Sequence, residues 1–169
     1  PRKEDGVFEI LHPDDRQPNW RTRYSISRLD FATGMVQPLT YTYHPVSLYD
    51  ITSDGKHLLF AVATDSLTQR PTTRQTFYDL NLETMESRML IDKDGFIGNG
   101  SYAGSAEKIV FSASTEAFHG IGNRVPEGKT PSMYDYHLYI MDTPSLKVTP
   151  VTADDATSIE SFEYSLADK

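Results

Sequence analysis

One turn signature constrains this chain more than any other feature. Thr52-Ser53-Asp54-Gly55-Lys56 separates an extended arm from the apolar, strand-length run His57–Ala63. A tight turn with positive φ is cheapest at Gly and tolerable at Asp, so Asp54-Gly55 predicts a hairpin and is assigned a structural role. The pattern returns in weaker form at Gly104-Ser105-Ala106-Glu107-Lys108, followed by Ile109–Ala113, and begins again at Ser165–Lys169. The lysines at 56, 108 and 169 thus recur about 50 to 60 residues apart, a period typical of solenoids, propellers and arrays.

The rest of the chain reads as strands hung on that repeat. Residues 1–23 carry prolines at 13 and 18 and predict a long loop. Tyr24–Asp30, the turn Phe31–Gly34 and Met35–Thr40 predict one hairpin, with Pro38 tolerable at a sheet edge. Ser47–Ile51, His57–Ala63, Phe77–Leu82 and Ser87–Ile91 predict a four-stranded unit with a polar loop at Thr64–Thr72. Phe96–Ala103, Ile109–Ala113, Tyr136–Asp142 and Lys147–Thr152 predict a second, with an irregular insert at Ser114–Met133. Thr40, after Pro38-Leu39, and Thr152, after Pro150-Val151, end equivalent strands.

No long helical period appears. Four-stranded units in series predict an all-β chain, a partial β-propeller with two complete blades and parts of two more. A β-sandwich also shows strands separated by turns, but it does not require a recurring Asp-Gly-Lys hairpin. The expected division is 1–41 (the second half of a blade), 42–93 and 94–153 (blades), and 154–169 (the first strand of the next). With no Met at position 1 and partial repeats at both ends, the sequence reads as a piece of a longer chain.

Charge narrows the partners. Sixteen Lys and Arg against 24 Asp and Glu leave a net charge of −8. Nucleic-acid binding rests on clustered positive charge, and anionic membrane surfaces select for it too, so neither partner is expected. No apolar run is long enough for a membrane-spanning helix. With no cysteine, disulfides and thiolate metal sites are excluded while the redox compartment stays open.

Ser53-Asp54-Gly55-Lys56-His57-Leu58-Leu59-Phe60 resembles the Ser-Pro-Asp-Gly-Lys-x-apolar-x-Phe repeat of TolB-like and prolyl-oligopeptidase-family propellers. Gly104–Phe111 is similar but lacks the Asp-Gly pair, and Leu138-Tyr139-Ile140-Met141-Asp142 resembles the third strand of such blades. Leu39-Thr40 and Val151-Thr152 resemble the end of the fourth. The long inserts favour the branch of dipeptidyl- and acylaminoacyl-peptidase-like serine peptidases. That resemblance implies a non-catalytic propeller that gates and orients peptide substrates above a C-terminal α/β-hydrolase domain of the same parent chain. It also implies a periplasmic or secreted bacterial protein. The alternative is a TolB-like periplasmic binding propeller without an enzymatic domain.

No catalytic residue is expected within the chain itself. Ser101 in Gly98-Asn99-Gly100-Ser101-Tyr102-Ala103-Gly104 lacks the flanking glycines of a nucleophile elbow, and the stretch reads instead as a Gly-rich strand. Gly122–Thr130 has the wrong spacing for a phosphate loop, and Asp92-Lys93-Asp94-Gly95 reads as an inter-blade turn rather than a calcium loop. His12, His44, His57, His119 and His137 show no paired-ligand spacing, so no metal and no cofactor are expected. Asp14-Asp15 and Asp154-Asp155 read as solvated or capping pairs. The Ser114–Met133 insert and the tyrosines after it supply the substrate-binding candidates, His119, Arg124, Tyr134 and Tyr136. Open blade edges further predict association with another strand.

Overall fold

The computed structural model describes residues 23–66, 68–122, 132–152 and 158–163. The N-terminal loop, Arg124, Asp154-Asp155 and the Ser165–Lys169 turn lie outside the described residues. Within them the chain is all-β. Strands β1 (Ser27–Leu29) and β2 (Val36–Pro38) form a two-stranded hairpin. Strands β3 (Val46–Ile51), β4 (His57–Asp65), β5 (Thr73–Asn81) and β6 (Ser87–Asp94) form an antiparallel sheet in sequence order. Strands β7 (Ile97–Tyr102), β8 (Lys108–Ser114), β9 (Tyr136–Asp142) and β10 (Lys147–Pro150) form a second sheet of the same order. These are two blades of a partial β-propeller, preceded by half of another.

Local chemistry explains why the repeat folds this way. Gly55 takes φ +69°, and its N–H donates to the Thr52 carbonyl at 2.8 Å. Asp54 Oδ1 accepts from the Thr52 hydroxyl at 2.7 Å and from Lys56 N–H at 3.0 Å. These bonds hold the Asp54 carboxyl below its usual pKa, the Thr52 hydroxyl contributing most. The last hairpin of each unit carries a corresponding device. Asp30 accepts from Ala32 and Thr33, Asn81 from Glu83 and Thr84, and Asp142 from both the backbone and the hydroxyl of Ser145. The equivalence of Thr40 and Thr152 is explicit in the bonding. Thr40 Oγ1 accepts from Ile26 N–H and Thr152 Oγ1 from Leu138 N–H, each at 2.9 Å and each across 14 residues.

Several elements differ from the sequence reading. β4 and β5 are longer than expected, because Thr64 through Asp65 and Thr73 through Gln75 continue the ladder with polar side chains. A Thr73 hydroxyl bond to Asp65 at 2.7 Å and a Ser66 N–H bond to the Thr72 carbonyl, also 2.7 Å, close its end. The insert opens with a single turn, α1 (Ala117–Gly120), within which Phe118 and His119 are left-handed rather than α-helical. Residues 158–163 run without ladder pairing, tied to β9 by Ile159 N–H donating to the Tyr136 carbonyl at 2.8 Å.

The core sits between the sheets. Phe77 of β5 meets Phe111 of β8 edge-on at 5.5 Å, and both are fully buried with Leu59, Ile109 and Tyr139. Burial of each such side chain is worth about 1.5–3 kcal/mol. Gly100 is required here: a Cβ on it would lie 2.7 Å from Phe111 Cε1 and 3.3 Å from Leu59 Cδ2. A smaller cluster of Leu39, Val46, Leu58, Phe60 and Leu80 joins the first hairpin to β3–β6.

Candidate functional site

The seam between the two four-stranded sheets holds both a polar network and a cleft. The network begins at Asp50 of β3, which pairs with Leu59 of β4 just after the bulge that leaves Tyr49 unpaired. Its Oδ2 accepts from Ser101 Oγ at 2.6 Å and from Tyr102 N–H at 2.8 Å, both on β7. The Tyr102 hydroxyl donates back across the seam to Asp79 Oδ1, and Asp79 also bonds His57 Nδ1 at 3.0 Å. Burial first, and then the Asp79 bond, push the Tyr102 phenol well above its ordinary pKa, so it stays a donor. Every member has a partner, and the seam is thereby fixed.

The cleft opens elsewhere along the same seam, between β6 and the β9–β10 hairpin. Its volume is about 390 Å³. Leu90, Ile91, Phe96, Phe118, Met141 and Val148 supply its apolar lining. The start of the insert contributes Glu116, His119 and Ile121 as well as Phe118. Asp94 pins that segment: Oδ1 accepts from Phe96 N–H and Oδ2 from Phe118 N–H, each at 2.8 Å. Phe118, with φ +53°, lies 5.6 Å from the Phe111 ring and 5.1 Å from Tyr139. His119 (φ +60°) and Lys93 (φ +48°) are left-handed too. Each such residue costs on the order of 1–2 kcal/mol, strain that the surrounding packing sustains.

Of the residues singled out from the sequence, His119 lines this cleft. Tyr134 is 78% exposed, with its N–H on Ser132 Oγ at 3.2 Å, and does not line it. Tyr136 begins β9 and packs its ring against Gly98, where an added Cβ would meet it at 2.8 Å. Arg124 lies outside the described residues. Arg74, Lys93 and Asp92 also line the cleft, and the sequence reading did not assign them to a site. Asp92, Lys93 and Asp94, expected in an inter-blade turn, instead form the end of β6, where the ladder with β5 extends to Asp94, and so reach the neighbouring insert; Arg74, a polar residue within a strand, carried no signal. Among the described residues, no group of three or more His, Asp or Glu side chains converges on a metal position.

Similarity to known proteins resides in the fold. No family model matches the sequence, and no curated protein matches it. Among solved structures, TolB from Acinetobacter baumannii matches over 78% of this chain with a TM-score of 0.52 and 18% identity. The tricorn protease matches over 85% with a TM-score of 0.53 and 11% identity. The chain spans 27% of the first and 14% of the second. Sheet order, seam packing and these likenesses together place the chain in the β-propeller fold.

Proposed function

We propose that this chain is the non-catalytic propeller portion of a bacterial serine exopeptidase of the prolyl oligopeptidase family, periplasmic or secreted. It gates and orients peptide substrates for a C-terminal α/β-hydrolase domain of the parent protein. One observation carries this reading. The insert between β8 and β9 is held by Asp94 and by Phe118 packing, and it brings His119 to the lip of a substantial cleft. A long insert anchored to a rigid sheet suits substrate selection, because loops on scaffolds carry binding groups while the scaffold fixes their position. Ser101, with Asn99 and Ala103 where a nucleophile elbow has glycines, fits a division of labour with a separate hydrolase domain.

The second reading is a TolB-like binding propeller with no enzymatic domain, which the likeness to TolB favours equally at the level of fold. Peptidase assays on the full-length parent separate the two. Cleavage of dipeptide or acyl-amino-acid reporters, abolished by a serine-directed inhibitor, supports the gate. A folded parent that is silent across the panel transfers the conclusion to the binding propeller. Shortening the 114–133 insert in an active parent should alter KM or substrate preference; unchanged kinetics would remove the insert from the proposal.

A further inference from the structure

The cleft between β6 and β9–β10, on which the proposed function rests, also carries features that name the chemistry of its occupant. A volume of about 390 Å³ lies in the range of small-molecule sites, and its lining is largely apolar. Arg74 borders it, and the Arg74 Nε is buried with no acceptor among the described residues. A buried donor left without a partner is costly, and a ligand oxygen would relieve it. Lys93 adds a second cation to the same wall, held there by a left-handed backbone whose N–H donates to Thr76 Oγ1 at 3.3 Å. His119 adds a third polar group at the lip.

The acids of the cleft narrow the ligand further. Both oxygens of Asp94 are occupied by backbone N–H groups. Asp92 and Glu116 remain as carboxylates without hydrogen-bond partners among the described residues. Two negative groups disfavour a phosphate dianion, but they match an ammonium. Opposite charges around an apolar floor fit a molecule that carries both.

We propose that this cleft binds a small zwitterion with an apolar side chain, a free amino acid or short peptide. Its carboxylate meets Arg74 and Lys93, and its ammonium meets Asp92 and Glu116. The proposal deepens the reading of this cleft as a binding site, and it holds whether or not a hydrolase domain follows, because it uses only residues that line the cleft.

Saturation-transfer NMR on the whole chain tests it, with L-leucine, L-leucyl-L-leucine and the N-acetylated and C-amidated dipeptides as probes. Leucine and the free dipeptide distinguish the two sources of the same chemistry, and binding of either supports the proposal. Amidation or acetylation should each weaken binding about tenfold or more, the effect of losing one charged hydrogen bond. Arg74→Gln should reduce discrimination between acid and amide, leaving the part that Lys93 supplies. Lys93→Gly keeps the left-handed backbone and so should fold, while weakening the acid alone. Equal binding of acid and amide to the unaltered chain would overturn the proposal, as would absence of binding for every probe up to about 10 mM. Unchanged affinity in both variants would overturn it too.

Discussion

The seams on either side of the β3–β6 sheet are made from similar strands yet closed by different means. Toward β1–β2, contact rests on the Leu39, Val46, Leu58, Phe60 and Leu80 cluster and on Val46 N–H donating to the Tyr24 carbonyl at 3.0 Å. Phe31, Tyr41 and Tyr43 stay almost wholly exposed around it. Toward β7–β10, a larger cluster with interlocked aromatic rings is joined by Asp50, Tyr102 and Asp79, and by Arg88 Nη2 donating to the Pro144 carbonyl at 3.0 Å. Apolar burial alone is non-directional and tolerates sliding. Hydrogen bonds between named atoms do not, so the second seam has the fixed geometry that a cleft requires.

The largest expected effect tests the cores directly. Phe111→Ala should cost about 3–5 kcal/mol and Leu80→Ala about 2–4 kcal/mol, measured by urea denaturation. A Leu80 loss exceeding the Phe111 loss would break the contrast between the seams. Gly100→Ala comes next: its methyl must displace the buried Phe111 ring, and overpacking of this kind costs about 1–3 kcal/mol. An unchanged denaturation midpoint would show that the β7–β8 packing yields more easily than its contacts suggest.

Tyr102→Phe sharpens the comparison further, removing one donor from Asp79 while keeping the ring. The expected cost is about 1–3 kcal/mol, smaller if His57 compensates. The smallest effect concerns the turns. Asp30, Asp54 and Asp142 are all held below their usual pKa by hydroxyl and backbone donors. A depressed folded pKa gives stability that is present above the unfolded pKa and is lost as pH falls through the folded one. Urea midpoints should therefore drop on acidification below about pH 4, and the drop should be shallower in Asp54→Asn. Equal slopes in the two proteins would remove Asp54 from the account.

Much of the fold was legible because its determinants are local. Asp54-Gly55 names its own turn, and Leu138–Asp142 shows a strand as an apolar run that resembles the third strand of such blades. The Thr40 and Thr152 correspondence was visible as a sequence echo before its bonding was known. The extra length of β4 and β5 was hidden, because Thr73-Arg74-Gln75 reads as polar loop and becomes strand only once β4 lies beside it. The site was less legible for the same reason. Its members come from β5, β6, the insert and β9–β10, and only packing of one sheet on the next makes neighbours of Arg74 and Glu116. His119 was accessible to reasoning through the glycine-rich insert; the seam network of Asp50, Asp79 and Tyr102 had no motif to announce it.

The bulge beside Asp50 has a consequence for how the sheet chooses its alignment. Side chains alternate along a strand, so a slip of one residue in β3 would carry Asp50 to the opposite face. Ser101 Oγ and the Tyr102 N–H would then lose their acceptor together, on a strand belonging to a different sheet. The neighbouring blade thus proofreads an edge strand: a misaligned β3 can satisfy its own ladder and still be rejected at the seam.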